Sequence, residues 1–170
     1  RPLPSPSFQV IEQADWSESW KQHYHPIDIG KRLVVVPAWL ENPRPERIPI
    51  RIDPGMAFGT GTHPTTQLCL AVVEEYLTAD GASPSSVVGP PSAVLGRRSA
   101  VGRQPSAVID LGCGTAILAI AAIKLGVERA LGVDIDPEAI QAAQENVAAN
   151  GVEPQIELAV GSLEEVLAGR

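Results

Sequence analysis

The chain has few of the residues that mark secreted, membrane-bound or metal-binding proteins. Only two of its 170 residues are cysteines, and Cys69 and Cys113 do not have the spacing of a metal site. Two thiols in helical and glycine-loop contexts indicate a reducing compartment rather than a disulfide framework. The longest apolar run, residues 116–123, is far shorter than the roughly 20 residues that cross a bilayer. We therefore expect a cytoplasmic protein with no metal and no membrane anchor.

The remaining composition is that of one globular domain. The chain is 44% hydrophobic and 19% charged, which is ordinary for a folded protein, and its length allows a sizeable core. The net charge of −7 disfavours broad contact with a phosphate backbone and suits a small cofactor or a basic protein partner. No direct binding to nucleic acid is expected, and the oligomeric state is left open.

The first half of the chain combines an aromatic helix pattern, two strand patterns and an unusual loop. Trp16 and Trp20 share one face of a predicted short helix, and "RLVVVPAW" and "IPIRIDPG" are typical of strands. The loop "DPGMAFGTGTHPTT" then spans residues 53–66, with three glycines and four threonines. The helix predicted after this loop carries an apolar face of Leu68, Val72, Tyr76 and Leu77.

The second half predicts alternating strands and helices. Residues 81–106 are rich in glycine, proline and serine, which indicates a flexible insertion. From Ala107 onward, "AVIDL", "RALGVDI" and "IELAV" are strand patterns separated by two helix patterns, the second beginning at Asp136 and ending at Gly151. This order predicts an α/β fold with a partial Rossmann-like, doubly wound parallel sheet. Such a sheet usually has further strands, so we expect its C-terminal strands to be missing before Arg170.

A nucleoside site is predicted where the first of these strands ends. Asp110 leads into a turn with Gly112 and Gly114, and Asp134 follows the second strand at a distance that suits ribose hydroxyls. This spacing is shared by sites for nicotinamide, flavin and S-adenosylmethionine. Ile117 stands where a dinucleotide fingerprint has its third glycine, and Asp110 would repel a pyrophosphate. The cationic S-adenosylmethionine therefore fits better, and the alternative is a glycine turn that binds no ligand.

Three stretches carry a family resemblance: "DPGMAFGTGTHPTTQLCL", "VIDLGCGTAILAIAAIKLG" and "ALGVDIDPEAIQAAQENVAANG". They resemble the bacterial methyltransferases that act on the large-subunit ribosomal protein L11, and the resemblance covers most of residues 11–160. It implies a cytoplasmic class I enzyme that transfers methyl groups from S-adenosylmethionine to lysine and N-terminal amines of that protein. It also implies an inter-domain linker of helix and strands at residues 1–52, and a partial methyltransferase domain at 53–170 that contains the insertion.

The resemblance also supplies site residues. By motif position Thr66 would contact the cofactor, and Phe58 with two glycines of the loop would wall its methionine end. Together with the turn and the strand-end carboxylates, the expected cofactor-binding residues are Phe58, Gly59, Gly61, Thr66, Asp110, Gly112, Gly114 and Asp134. No catalytic residue is assigned, because an activated methyl group mainly requires orientation, and His63 suits loop structure better than proton transfer. Ala116 stands where the family usually has a third glycine.

Other interpretations stay open. The resemblance implies an N-terminal substrate domain, and an Asn-Ile-Leu motif in strands after Arg170, that this sequence does not contain, so we expect a truncated chain, and catalysis by it alone is left open. One alternative is a related methyltransferase that acts on another protein, a small amine or a nucleic acid. Another, from a different class, is an NAD-binding oxidoreductase or a non-catalytic binding fragment. A half-sheet also predicts an unpaired strand edge, and hence marginal stability or association.

Overall fold

Two three-stranded sheets and four helices make up the described part of the protein. The computed structural model describes residues 24–53, 59–78 and 105–168. In chain order the elements are β1 (Ile27–Ile29), β2 (Leu33–Pro37), β3 (Ile48–Ile52), α1 (Pro64–Thr78), β4 (Ala107–Leu111), α2 (Ile117–Lys124), β5 (Arg129–Asp134), α3 (Pro137–Asn150), a 3-10 turn (Glu153–Gln155), β6 (Ile156–Val160) and α4 (Leu163–Ala168).

Some of the predicted features lie outside these ranges. The aromatic helix with Trp16 and Trp20 is among them, and so is Phe58 of the loop. The predicted insertion also lies outside them, apart from residues 105 and 106, which lead directly into β4.

The second sheet has the predicted parallel arrangement. Its strands lie in the order β4-β5-β6, and both neighbouring pairs are parallel. The helices α2 and α3 connect these strands in sequence, as the alternation of patterns predicts. The α/β class and the partial Rossmann-like parallel sheet are therefore confirmed.

Local sequence signals explain where α3 begins and ends. The Asp136 side chain accepts a hydrogen bond from the backbone N–H of Glu138, at 2.9 Å, and Pro137 occupies the first helical position. Gly151 ends the helix in the left-handed region, at a φ of 67°. Between these ends, Ile140, Ala143 and Val147 are buried and form the apolar face of α3.

The first sheet consists of β1, β2 and β3. The sequence predicts β2 and β3 but misses β1, which has three residues and pairs antiparallel with β2. The pairing of β2 with β3 is parallel. The two sheets share one apolar core, since Leu33 and Ile50 of the first sheet belong to the same cluster of buried side chains as Ile120 of α2 and Val147 of α3.

The helix α1 buries a different face from the predicted one. Leu68 and Val72 were expected in the core, yet 66% and 54% of their surfaces are exposed, whereas Leu77 is buried as expected and Tyr76 is half-buried. The buried residues of α1 are Thr66, Leu70, Glu74 and Leu77. The prediction was wrong because it counted only apolar residues, and the buried face contains a glutamate.

Burial of Glu74 is compensated by backbone donors of the turn between β1 and β2. Its carboxylate accepts hydrogen bonds from the N–H groups of Lys31, at 2.7 Å, and Arg32, at 3.0 Å. Gly30 precedes these donors at a φ of +49°, and a Cβ atom built there would lie 2.5 Å from a Glu74 carboxylate oxygen. The close approach and the positive φ both require glycine at this position.

The second sheet leaves apolar surface exposed. Among the described residues, the outer edge of β4 has no partner strand, as predicted for a half-sheet. Ile109 and Leu111 on this strand expose 52% and 58% of their surfaces. None of the helices in the described ranges is long and apolar enough to span a membrane.

Candidate functional site

Two carboxylates lie at the same edge of the parallel sheet. Asp110 is the penultimate residue of β4 and pairs in register with Gly132 of β5, and Asp134 ends β5. Carboxyl ends of neighbouring parallel strands form the edge at which open α/β sheets bind ligands. The charge of Asp134 contributes to the raised pKa of Asp110, so the two groups share one electrostatic environment.

The turn after β4 presents open backbone at this edge. Gly112 and Gly114 have φ angles of 66° and 52°, in the region that favours glycine. The N–H groups of Gly112 and Cys113 both donate to the carbonyl oxygen of Val133, which ties the turn to β5. A Cβ atom built on Gly112 meets nothing within 4 Å, so this face of the turn is open to a ligand.

The carboxylate of Asp134 is held by two backbone donors. One oxygen accepts from the N–H of Gly114, at 2.9 Å, and the other from the N–H of Asp136, at 3.0 Å. A carboxylate offers about four lone-pair sites, so these bonds fix its orientation and leave acceptor capacity for hydroxyl groups. The side chain is half-buried and its position at the strand end suits a ribose.

Asp110 serves as a cap for the helix α2. Its carboxylate accepts a hydrogen bond from the N–H of Ala119, at 3.1 Å, in the first turn of that helix. The residue before the helix, Ala116, has no side-chain oxygen that could do this. Burial raises the pKa of Asp110 to about 6, the bond from Ala119 opposes this rise, and the nearby Asp134 adds to it. A cation bound at this edge would stabilise the ionised form of Asp110.

Ala116 occupies a position where glycine is the natural choice. Its φ of 60° and ψ of 22° are left-handed, and within the described ranges it is the only residue other than glycine with a positive φ. This conformation costs an L-amino acid about 1–2 kcal/mol. The side chain is also completely buried. The strain falls at the position where the resemblance predicts a glycine.

The described end of the glycine- and threonine-rich loop, from Gly59 onward, lies against the glycine turn. The hydroxyl of Thr115 donates a hydrogen bond of 2.7 Å to the carbonyl oxygen of Gly59. A Cβ atom on Gly59, which has a φ of +106°, would lie 2.8 Å from that hydroxyl oxygen. Gly61 is equally restricted, because its Cβ would lie 2.8 Å from a methyl group of Val35. The two segments predicted to bind one cofactor are therefore in direct contact.

The end of the loop forms the start of α1. The Nδ1 atom of His63 is 2.7 Å from the Thr65 hydroxyl and accepts a bond of 3.3 Å from the Thr65 N–H. This contact at the helix start supports the structural role predicted for His63. Thr66 is buried in the first turn of α1, with 8% of its surface exposed. Contact with a cofactor stays a prediction for Thr66 and for the other expected site residues.

Two asparagines of α3 were missed by the sequence analysis. Asn146 is 1% exposed, and its side-chain oxygen accepts from the N–H of Asp53, at 2.7 Å, where the loop begins. One helical turn later, Asn150 accepts from the N–H of Arg51 and donates to its carbonyl oxygen. The signal was present in the sequence, because Asn146 follows the buried Ala143 by three positions and so falls on the apolar face of α3.

The titratable residues within the described ranges do not form a metal site. In the part of the chain that the structure describes, no group of three or more His, Cys, Asp or Glu residues could hold a metal ion. The thiol of Cys113 lies in the glycine turn, where burial and the charges of Asp110 and Asp134 raise its pKa to about 12. It is therefore a neutral thiol and a poor nucleophile at physiological pH.

Comparison with known proteins identifies the family. Residues 3–168 match the family model described as ribosomal protein L11 methyltransferase (PrmA). The chain belongs to this family. The match confirms the family indicated by the loop, the glycine turn and the strand-end carboxylates.

Individual L11 methyltransferases show the same relationship. The chain is 43% identical over 151 residues to the ribosomal protein L11 methyltransferase of Aliivibrio fischeri. This match covers 89% of this chain and 43% of that protein. It is 42% identical over 165 residues to the ribosomal protein L11 methyltransferase of a Cyanothece species, and this match covers 96% of this chain and 50% of that protein. The chain thus spans about half the length of the curated relatives it matches.

A solved structure supports the fold. The crystal structure of the ribosomal protein L11 methylase from Lactobacillus delbrueckii subsp. bulgaricus matches with a TM-score of 0.59 and 35% identity. The match covers 84% of this chain and 60% of that one. The partial Rossmann-like sheet of this chain is therefore that of a class I methyltransferase.

Proposed function

We propose that this chain carries the cofactor site of an S-adenosylmethionine-dependent protein methyltransferase that methylates lysine and N-terminal amines of ribosomal protein L11. The observation that carries the proposal is the pair of carboxylates, Asp110 and Asp134, on either side of an open glycine turn. Membership in the L11 methyltransferase family supports both the cofactor and the substrate. The net charge of −7 also suits a basic ribosomal protein as partner.

The residues at the sheet edge fit this cofactor. Open space in front of Gly112 admits a ligand close to the backbone, and the remaining lone pairs of Asp134 suit the two ribose hydroxyls. The raised pKa of Asp110 indicates an environment in which a negative charge lacks compensation. A cationic ligand supplies that compensation, whereas the pyrophosphate of a dinucleotide would add repulsion.

The chain's own residues bind and orient, and we assign no catalytic base to them. When bound, S-adenosylmethionine supplies a methyl group that the positive charge on its sulfur has already activated. In the transfer, a bond forms between the amine nitrogen and the methyl carbon as the carbon–sulfur bond breaks, and the amine then releases its proton to solvent. Asp134 would fix the ribose, and the loop glycines Gly59 and Gly61 would exclude water from the methionine end. A ribosomal substrate implies that the protein works in the cytoplasm.

Calorimetric titration tests the cofactor assignment. The 170-residue chain is expected to bind S-adenosylmethionine and S-adenosylhomocysteine but not NADH. Asp134→Ala is expected to weaken binding by about 1–3 kcal/mol, because a hydrogen bond to a charged acceptor is lost. Glu153→Ala, which removes an exposed carboxylate before β6, is the control and should leave the affinity unchanged. Thermal unfolding of both variants shows whether the fold is retained. Binding of NADH in place of both sulfur compounds would refute the assignment.

A methylation assay tests the substrate separately. Purified L11 is incubated with the chain and S-adenosylmethionine, and mass spectrometry locates added methyl groups on lysines and on the N-terminal amine. Methyl groups that appear with the wild-type chain and decrease with Asp134→Ala would support the proposal. If the chain binds the cofactor but leaves L11 unmodified, the assignment of this activity to the chain is wrong.

A further inference from the structure

A short series of hydrogen bonds links the loop to the glycine turn through α3. The Asn146 side chain accepts from the N–H of Asp53, at 2.7 Å, and donates a longer bond of 3.4 Å to the carbonyl oxygen of Thr115. The Thr115 hydroxyl in turn donates to the carbonyl oxygen of Gly59, at 2.7 Å. We call these four residues, Asp53, Gly59, Thr115 and Asn146, the loop anchor. Two of its hydrogen bonds hold the chain on both sides of residues 54–58.

The two side chains of the loop anchor, Thr115 and Asn146, are buried, whereas Asp53 is exposed and Gly59 is half-buried. Thr115 is completely buried and Asn146 is 1% exposed. Among the described residues, no buried side-chain nitrogen or oxygen lacks a hydrogen-bond partner. Because the Thr115 hydroxyl and the Asn146 amide are buried, losing a partner would leave a polar atom of either side chain unpaired, so their bonds constrain the backbone that they reach.

We propose that Asn146 and Thr115 are positioning residues that hold Asp53 and residues 59–62 of the loop at a fixed distance from the glycine turn, so that this part of the cofactor site is formed before the cofactor binds. This inference rests on the proposed function. The loop leaves the end of β3 in one sheet, and the glycine turn follows β4 in the other. Fixing the two segments against each other in advance lowers the entropy that binding has to overcome.

Asn150 provides a matched comparison on the same helix. Its side chain binds the N–H and carbonyl oxygen of Arg51, at 2.9 and 2.6 Å, and so holds β3 to α3. It also donates to the carbonyl oxygen of Asn146, but it makes no hydrogen bond to the described residues of the loop or to the glycine turn. A variant at this position therefore loses a half-buried asparagine that, like Asn146, holds the first half of the chain to α3, without releasing the loop anchor.

Binding measurements on the whole 170-residue chain separate positioning from stability. Asn146→Ala and Asn150→Ala are compared for their thermal midpoint and for their affinity for S-adenosylhomocysteine. Both are expected to lower the midpoint, but Asn146→Ala should raise the dissociation constant about tenfold or more and Asn150→Ala less than about threefold. Equal losses of affinity for equal losses of stability would overturn the proposal.

A second pair of variants tests the hydroxyl of Thr115. Thr115→Val keeps the shape of the side chain but removes its donor, and it should weaken binding as much as Asn146→Ala does. Thr115→Ser keeps the donor and should retain most of the affinity. If Thr115→Val binds S-adenosylhomocysteine as tightly as Thr115→Ser does, the hydrogen bond to Gly59 has no positioning role.

Amide hydrogen exchange of the cofactor-free chain keeps the test independent of the cofactor assignment. In Asn146→Ala, the amides of residues 59–62 and 112–115 are expected to lose protection together, whereas Asn150→Ala leaves both segments protected. Unchanged protection in Asn146→Ala would refute the anchor. Absence of S-adenosylhomocysteine binding by the wild-type chain would instead refute the proposed function.

Discussion

Replacing Asp110 with asparagine removes a negative charge that the fold holds in an unfavourable environment. The carboxylate is largely buried, lies near the charge of Asp134 and is compensated by one backbone donor, Ala119. Asparagine has nearly the same shape, and its side-chain oxygen can accept the same bond. We therefore expect Asp110→Asn to increase the free energy of unfolding of the cofactor-free chain at neutral pH.

The pKa values give the size and direction of the effect. Asp110 has a pKa of about 6 in the folded chain against an ordinary value of 3.8, so the folded state binds its proton more tightly than the unfolded state. The free energy of unfolding therefore falls as the pH rises between these two values. Above about pH 6 the ionised carboxylate destabilises the folded chain by the full amount. The difference between the two pKa values corresponds to about 3 kcal/mol, at about 1.36 kcal/mol for each pH unit.

Urea unfolding followed by circular dichroism between pH 4 and pH 8 measures this effect. At pH 7.5 the asparagine variant should be more stable than the wild type by up to about 3 kcal/mol. The gain should shrink towards zero near pH 4, where the wild-type carboxyl is neutral. Glu128→Gln, at an exposed carboxylate before β5, is the control for general effects of charge removal. A gain that does not change with pH, or a less stable variant at pH 7.5, would refute the reasoning.

The same variant should bind its ligand less well. If the Asp110 carboxylate attracts the positive charge of the cofactor, Asp110→Asn weakens binding of S-adenosylmethionine more than binding of S-adenosylhomocysteine, because only the former carries a sulfonium charge. Stability and binding would then change in opposite directions, as is common where a binding site holds an uncompensated charge.

Two further predictions concern the fold. Glu74→Gln replaces a buried carboxylate that accepts from several backbone N–H groups by an amide that also donates. It should lower the free energy of unfolding by about 2 kcal/mol in urea titrations. An unchanged midpoint would show that these backbone donors do not stabilise the carboxylate. Ala116→Gly relieves a left-handed backbone, whereas Ala121→Gly introduces glycine inside a helix, and both remove a buried methyl group. The first should therefore be more stable than the second by about 2 kcal/mol, and equal stabilities would show that the strain at Ala116 is negligible.

The parallel sheet could be predicted because its signals are local. Asp136 and Gly151 mark the ends of α3 through contacts within a few residues, and the strands between the helices are short apolar runs. The strand-end position of Asp110 and Asp134 follows from the same pattern. For such elements the sequence nearby contains most of the physical information that determines the structure.

The features that escaped prediction depend on contacts between distant parts of the chain. The buried face of α1 includes Glu74 because its partners lie in a turn more than forty residues earlier in the chain. The role of Asn146 depends on the N–H of Asp53, and no pattern within either segment indicates the other. The short strand β1 has too few residues for an alternation to be recognised.

The separation of Asp53 and Asn146 has a consequence for how the protein folds. These two residues lie 93 positions apart in the chain, whereas each β-α-β unit of the second sheet can form from neighbouring segments. The entropy of closing so long a stretch of chain has to be overcome before the contact contributes any stability. We therefore expect the loop to reach the glycine turn late in folding. The ability to bind a ligand then develops after the parallel sheet has formed, which makes ligand binding a more sensitive reporter of complete folding than secondary structure content.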